Sequence, residues 1–264
     1  MRVLLLCLFA LPALNLAARE IESFADHDDL PRGTVVSGFE FLTRETQALQ
    51  QDDFANPGGL WQDKGEQLFA ATDGGRSCAS CHSTASDRLL AGAAARYPAV
   101  DAKTGALLNL EGRINACRTR YQQRIALPYE SNDLLALSAY VAGLSRGMPY
   151  RVAIDGPARR FFEQGRAYFF QRKGQLNLAC NQCHDDNWGK LLRGERISQG
   201  QPTAFPGYRL EWQTFGSLHR RLQDCDAGVR ATRQVLGSEI YVSVELYLAR
   251  RAADLRSEAP GVRR

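Results

Sequence analysis

The sequence predicts an all-α fold made of two small domains in tandem. Three observations carry that expectation. The pentapeptide Cys78-Ala79-Ser80-Cys81-His82 returns 102 residues later as Cys180-Asn181-Gln182-Cys183-His184. Each copy is preceded by a segment with helical apolar spacing and followed by one further cysteine and another such segment. No segment is convincingly strand-rich. The 264 residues, 44% hydrophobic and 23% charged, can bury a proper core, so disordered and fibrous architectures are excluded. A formal charge of +4 from 33 basic and 29 acidic residues is too balanced to suggest nucleic acid as a partner.

Along the chain, Met1-Arg2 followed by the apolar run Val3 to Leu16 and Ala17-Ala18 has the three parts of a secretory signal peptide. The run of 14 residues, interrupted by Pro12 and Asn15, is shorter than the roughly 20 that span a bilayer. Residues 1–18 are therefore expected to be removed, taking Cys7 and leaving six cysteines, with no membrane anchor in the mature chain. An oxidising compartment follows. Residues 19–58 carry Asp26, Asp28, Asp29, Pro31 and Gly33, belong to neither repeat, and are expected to form an extended arm. The first domain is expected over 59–148 and the second over 149–264, with the stretch from Gly143 to Pro157 as linker.

Both pentapeptides fit C-x-x-C-H, the attachment pattern of c-type haem. Two thiols three residues apart on a helical turn reach the two vinyl groups of one porphyrin, and the next residue, His, lies under the iron. Chance predicts about (7/264)² × (4/264) × 260 ≈ 0.003 copies from this composition. A zinc site would need two Cys pairs closing on one ion, and a redox pair would need a βαβ pattern that is absent. The expectation is two haem c per chain, attached at Cys78 and Cys81 and at Cys180 and Cys183, with His82 and His184 as proximal ligands.

The surrounding order repeats as well. Gly65-Glu66-Gln67-Leu68-Phe69 lies 13 residues before Cys78, and Gly165-Arg166-Ala167-Tyr168-Phe169 lies 15 before Cys180. Cys117 and Cys225 follow their histidines by 35 and 41 residues, and each precedes a segment read as an amphipathic helix, Leu134 to Ala142 and Val242 to Ala249. This order resembles a tandem of cytochrome c domains.

Each iron needs a sixth ligand. After processing, Met148 is the one remaining methionine and sits in the linker, and the spare histidines are His27 in the acidic arm and His219. The duplicated cysteines are the economical choice: Cys117 for the first iron and Cys225 for the second, both as thiolates. A Cys117–Cys225 disulfide and ligation by His219 stay open as alternatives, although a surface or capping role suits His219 better. Thiolate ligation stabilises ferric iron and lowers the potential, which suits a haem that serves chemistry at its own sulfur.

The stretch from Arg220 to Arg233 has four arginines and two aspartates. If it is helical, Arg221 and Cys225 share a face. A guanidinium there favours the thiolate and can hold a sulfonate-like oxyanion in its planar fork. Arg230 and Arg233 read as a solvated arginine face.

Two C-x-x-C-H motifs, one extra cysteine per half and Arg-x-x-x-Cys before the last helix resemble the SoxA family, the dihaem subunits of the SoxAX cytochromes of bacterial thiosulfate oxidation. The resemblance covers essentially the whole mature chain. It implies a periplasmic heterodimer with a small monohaem cytochrome, SoxX, and an enzyme of the L-cysteine S-thiosulfotransferase type. That activity joins thiosulfate oxidatively to a cysteine of the carrier SoxYZ and passes two electrons to the partner. It further implies that Cys225 works as a thiolate or persulfide while ligating haem, and that Arg221 binds substrate. Some members lack the first motif, whereas this chain keeps it. The rival functions are a non-catalytic dihaem electron carrier and a peroxidase, which would need an open iron position that two cysteine ligands would fill.

Overall fold

The computed structural model describes residues 35–72, 75–82 and 90–264. The signal peptide, His27 and the acidic part of the arm lie outside the described residues. In chain order the helices are α1 (Arg44–Gln51), α2 (Gly58–Ala70), α3 (Leu110–Tyr121), α4 (Asn132–Gly143), α5 (Arg159–Phe170), α6 (Cys180–His184), α7 (Leu218–Gly228) and α8 (Glu239–Arg251). None of them is long and apolar enough to cross a membrane. The fold is helix-rich, as the sequence predicts.

The two halves repeat in three dimensions. In the first, α2 packs on α4, and in the second α5 packs on α8. Each crossing is made at a glycine. A Cβ on Gly65 would lie 2.0 Å from the Ala136 carbonyl oxygen, and one on Gly165 would lie 1.9 Å from that of Ser243. Each crossing carries the same aromatic pair: Phe69 and Tyr140 with centroids 5.1 Å apart, Phe169 and Tyr247 5.2 Å apart, tilted by 51° and 52°. The helices bearing the lone cysteines also start alike. Asn109 caps α3 by accepting from the Gly112 N–H (2.9 Å), and Ser217 caps α7 by accepting from the Arg220 N–H (3.2 Å). Each cap stands eight residues before its cysteine.

Several features differ from the sequence reading. The helices α4 and α8 are not amphipathic. Leu134 to Ala139 and Tyr241 to Val244 are buried on every face, because each of these helices is central to its half. The arm is not wholly extended either: Thr43 caps α1 with its hydroxyl, and α1 packs against the C-terminal strand.

Strand pairing is also present, in pieces of two or three residues. β1 (Ala99–Val100) pairs with β2 (Leu107–Leu108), and β3 (Leu191–Leu192) with β4 (Glu195–Arg196), both antiparallel. A three-stranded sheet has the order β6 (Thr214–Gly216), β5 (Gly207–Arg209), β7 (Gly261–Arg263), with β5 antiparallel to β6 and parallel to β7.

The linker is packed rather than free. Gly147 and Tyr150 N–H donate to the Ser257 and Leu255 carbonyls (2.8 and 2.9 Å), and Tyr150 and Ile154 are buried. The tail then reaches α1, where the Val262 N–H donates to Gln50 Oε1 (2.9 Å). Leu107 and Val100 of the first half join the aromatic core of the second, built on Phe161, Phe169, Tyr241 and Tyr247. Burying each large side chain contributes roughly 1.5–3 kcal/mol, so the halves share stabilisation across their boundary.

Candidate functional site

The second pentapeptide forms α6, and the N-cap at Ala179 is held by Gln182, whose Oε1 accepts from the Ala179 N–H (2.9 Å). His184 ends that helix with its ring fixed on two sides. Its Nδ1 donates to the Ser198 carbonyl (2.7 Å), which assigns the remaining lone pair to Nε2. Gly200, at φ +78°, lies so close that a Cβ there would sit 3.1 Å from His184 Cγ. Beside it, Asp185 is paired with the buried Arg251 of α8.

Helix α7 brings Arg221 and Cys225 to one face. The Cys225 sulfur lies near enough to the His184 ring and the Arg221 guanidinium for both to act on its charge. Burial pushes the Cys225 thiol up, but the Arg221 guanidinium, with His184 adding to it, outweighs burial and brings the thiol down to about 7. Cys180 shows what burial does without that help: its thiol is pushed up to about 12.

The next residue, Asp226, anchors the helix. Its carboxylate accepts from Tyr168 and Tyr241 hydroxyls (2.7 and 2.6 Å) and pairs with Lys173 (2.7 Å). A buried carboxylate demands such partners, and here they come from α5, from α8 and from the loop after α5.

The first pentapeptide makes a helical turn, with Cys81 and His82 N–H donating to the Cys78 carbonyl (3.1 and 2.9 Å). Phe69 lies 6.3 Å from the His82 ring, and Gln122 Nε2 donates to the Cys78 sulfur (3.5 Å). Cys117, on α3, is close enough to Cys78 that its charge would raise that thiol, which burial also raises. His82 borders residues 83–89, which are not described.

All six described cysteines are free, so no disulfide joins Cys117 to Cys225. His219 is neither at the surface nor at the second centre. It is 1% exposed, stacked on Tyr129 (5.8 Å, 3°), with Nδ1 accepting from the Gly237 N–H (3.0 Å) and Nε2 3.1 Å from Glu245. Its Nδ1 is thereby occupied by the Gly237 N–H, and its Nε2 faces the Glu245 carboxylate. Met148 lies in the linker, 37% exposed.

Around Arg221 the structure gathers residues that the sequence did not single out. Arg209 on β5 is 4% exposed, pairs with Glu211 (2.6 Å) and stacks on Trp212 (5.1 Å). Trp212 in turn donates from Nε1 to Asp224 (2.7 Å), one residue before Cys225. The Cys225 sulfur raises the affinity of Arg221 for its proton against the opposing effect of burial, and Asp224, Glu195 and Glu211 add to it. Burial, with Arg221 second, lowers that of Arg209. Arg230 and Arg233 are exposed.

These residues fit a covalent haem at the second centre. Cys180 and Cys183 lie on one short helix, His184 presents Nε2, and the Cys225 sulfur faces that ring from another helix. A thiolate is a known haem ligand type. In the first half, Cys117 of α3 lies near Cys78, on the turn that ends in His82.

Comparison with known proteins places the chain in a family. Residues 64–150 match the family model described as SoxA/TsdA, cytochrome c domain. The chain is 38% identical over 229 residues to the L-cysteine S-thiosulfotransferase subunit SoxA of Rhodovulum sulfidophilum, covering 86% of this chain and 79% of that one. It is 36% identical over 232 residues to the subunit of the same name from Paracoccus pantotrophus, covering 87% and 79%. The crystal structure of SoxXA from P. pantotrophus superposes with a TM-score of 0.82 at 35% identity, over 87% of each chain. A c-type haem protein of helical fold, the chain belongs to the SoxA family.

Proposed function

We propose that the chain is the haem-bearing subunit of a periplasmic L-cysteine S-thiosulfotransferase. It carries two haem c, pairs with a SoxX-like monohaem cytochrome, and joins thiosulfate to a cysteine of a SoxYZ-like carrier. The observation that carries this reading is the Cys225 sulfur on α7, facing His184 and flanked by the Arg221 guanidinium.

Arg221 holds the sulfonate end of thiosulfate through its planar fork and turns the sulfane sulfur toward Cys225. The Cys225 sulfur, as thiolate or persulfide, and the sulfane sulfur form a sulfur–sulfur bond, and two electrons are released. Cys180, Cys183, His184 and Cys225 would hold a haem there, which would supply one-electron chemistry for passing the two electrons to the partner cytochrome. A carrier cysteine thiolate then attacks the sulfane sulfur and breaks its bond to Cys225. The carrier leaves as cysteine S-thiosulfonate, and Cys225 returns to its starting state. The net change is one thiosulfate and one carrier thiolate converted to one S-thiosulfonate and two electrons.

Arg221 is well suited to this role. It sits one helical turn before the sulfur and loses little freedom when an anion binds, because its stem is already partly buried. The Asp226 network fixes α7, and so fixes the distance from guanidinium to sulfur.

The test is turnover by the purified protein with its partner cytochrome, the carrier and thiosulfate. Thiosulfate-dependent reduction of the cytochrome, together with a carrier mass gain of one thiosulfonate group, supports the reading. Electron exchange with the partner but no carrier modification would leave a non-catalytic electron carrier.

A further inference from the structure

Arg209 is a buried cation that the mechanism above does not use. Its residue is 4% exposed, yet it is only half paired. One terminal nitrogen bonds Glu211 at 2.6 Å, while its Nε–H is buried with no acceptor among the described residues. Leaving a buried donor unmade costs about 1–3 kcal/mol, so a side chain held this way calls for an acceptor that is not part of the protein. Its position points to the same place as Arg221. It stacks on Trp212, the indole of Trp212 is tied to Asp224 on the helix of the reactive cysteine, and the charge of Arg221 is near enough to disfavour that of Arg209.

The carboxylate that pairs with Arg209 is of a different kind. The Glu211 side chain is 55% exposed, and its negative charge is favoured first by the hydrogen bond from Arg209 and then by the charges of Arg209, Arg221 and Arg264. It therefore faces three guanidiniums while more than half of its side chain is in solvent.

We propose that Arg209 is the second guanidinium of the substrate site and that Glu211 is its exchangeable counterion, displaced when a divalent sulfur oxyanion enters. This rests on the thiosulfate reading of the site. Two forks can share the oxygens of one sulfonate, as a single arginine cannot. The resident carboxylate keeps the paired guanidiniums neutralised when no substrate is bound and rejects monovalent anions, which recover less attraction on replacing it.

The test uses holo-protein in complex with its partner cytochrome and reads two quantities. One is calorimetric binding of sulfate, a divalent oxyanion that does not react. The other is KM against kcat for thiosulfate. Glu211→Gln removes the competing charge from an exposed position and is expected to tighten sulfate about two- to fivefold, lowering KM by a similar factor. Arg209→Gln is expected to weaken sulfate binding by about tenfold or more, acting on KM more than on kcat, with Arg209→Lys in between. Because Arg209 is buried, Arg209→Gln may be judged only where its haem spectrum matches wild type; Glu211→Gln decides the matter alone, since damage to the fold does not tighten an anion site. Unchanged or weaker sulfate binding in Glu211→Gln overturns the proposal. Wild-type turnover of thiosulfate with no such sulfate pattern would sink this inference and spare the proposed function. The sulfate pattern without thiosulfate turnover would do the reverse.

Discussion

Replacing Arg221 by Gln separates substrate binding from haem ligation, because in the proposed mechanism Cys225 is both nucleophile and ligand whereas Arg221 only binds substrate. Gln keeps polarity and approximate reach but loses the charge and the fork. Arg221 lies one turn before Cys225 on α7, next to the sulfur and among Asp224, Glu195 and Glu211. These carboxylates dilute its attraction for an incoming anion, so the lower part of the range for a charge-assisted pair, roughly 1.5–3 kcal/mol, is the proper starting point. At about 1.4 kcal/mol per factor of ten, the lower part of that range corresponds to a fall in thiosulfate turnover of roughly ten- to thirtyfold. The assay is kcat/KM for thiosulfate with the partner cytochrome and carrier in excess. The spectrum of the second haem should stay near wild type, and its potential should drop slightly as a nearby positive charge is lost. Arg233→Gln, exposed and further along the chain, is the control and should cost much less. Equal losses in both variants would mean that general positive charge guides the substrate, and full activity in Arg221→Gln would refute the placement of thiosulfate beside Cys225.

Further outcomes follow from the same structure. Alkaline-pyridine absorbance should give two haems per chain, and Cys117→Ser should alter the spectrum of the first haem while leaving that of the second intact; one haem, or no spectral change, would contradict the duplicated ligand set. Gly165→Ala puts a methyl group 1.9 Å from the Ser243 carbonyl oxygen and should lower stability by about 1–3 kcal/mol or prevent assembly of the second half, as read by thermal unfolding. Glu111 is raised to about 7 by burial and then by Glu245, so its folded-state pKa lies above the ordinary 4.5. Its contribution is present at pH 4 and lost as pH rises through 7. Glu111→Gln should therefore flatten the decline in stability between pH 5 and pH 8, and an unchanged slope would show that Glu111 is not its source.

The parts of this protein that could be read from its sequence are those with a fixed chemical spacing. The two pentapeptides, the two lone cysteines and the arginine one turn before Cys225 each have a pattern that chemistry dictates. The repeated glycines were visible as Gly65 and Gly165, and their purpose at backbone crossings became clear only once Ala136 and Ser243 were placed. The short strands were invisible because two or three residues cannot show an alternation. The burial of α4 and α8 on all faces was misread as amphipathic, since Tyr140, Ser138 and Ser243 look polar in sequence but lie within the fold. His219 was expected near the surface, and it is buried because Tyr129, from the other half, stacks on it. Asp226, Lys173 and Arg209 had no local signal at all. Their roles depend on partners that are distant in sequence, such as Tyr168 for Asp226 and Trp212, which links Arg209 to Asp224.

The most direct test of the central claim is the mass of the Cys225 peptide after oxidised protein and partner cytochrome meet thiosulfate without carrier. If Cys225 is the sulfur that takes the substrate, the peptide gains a thiosulfonate group, and adding the carrier removes it as the carrier gains the same mass. An unmodified Cys225 peptide under conditions where the carrier is still conjugated would contradict the account.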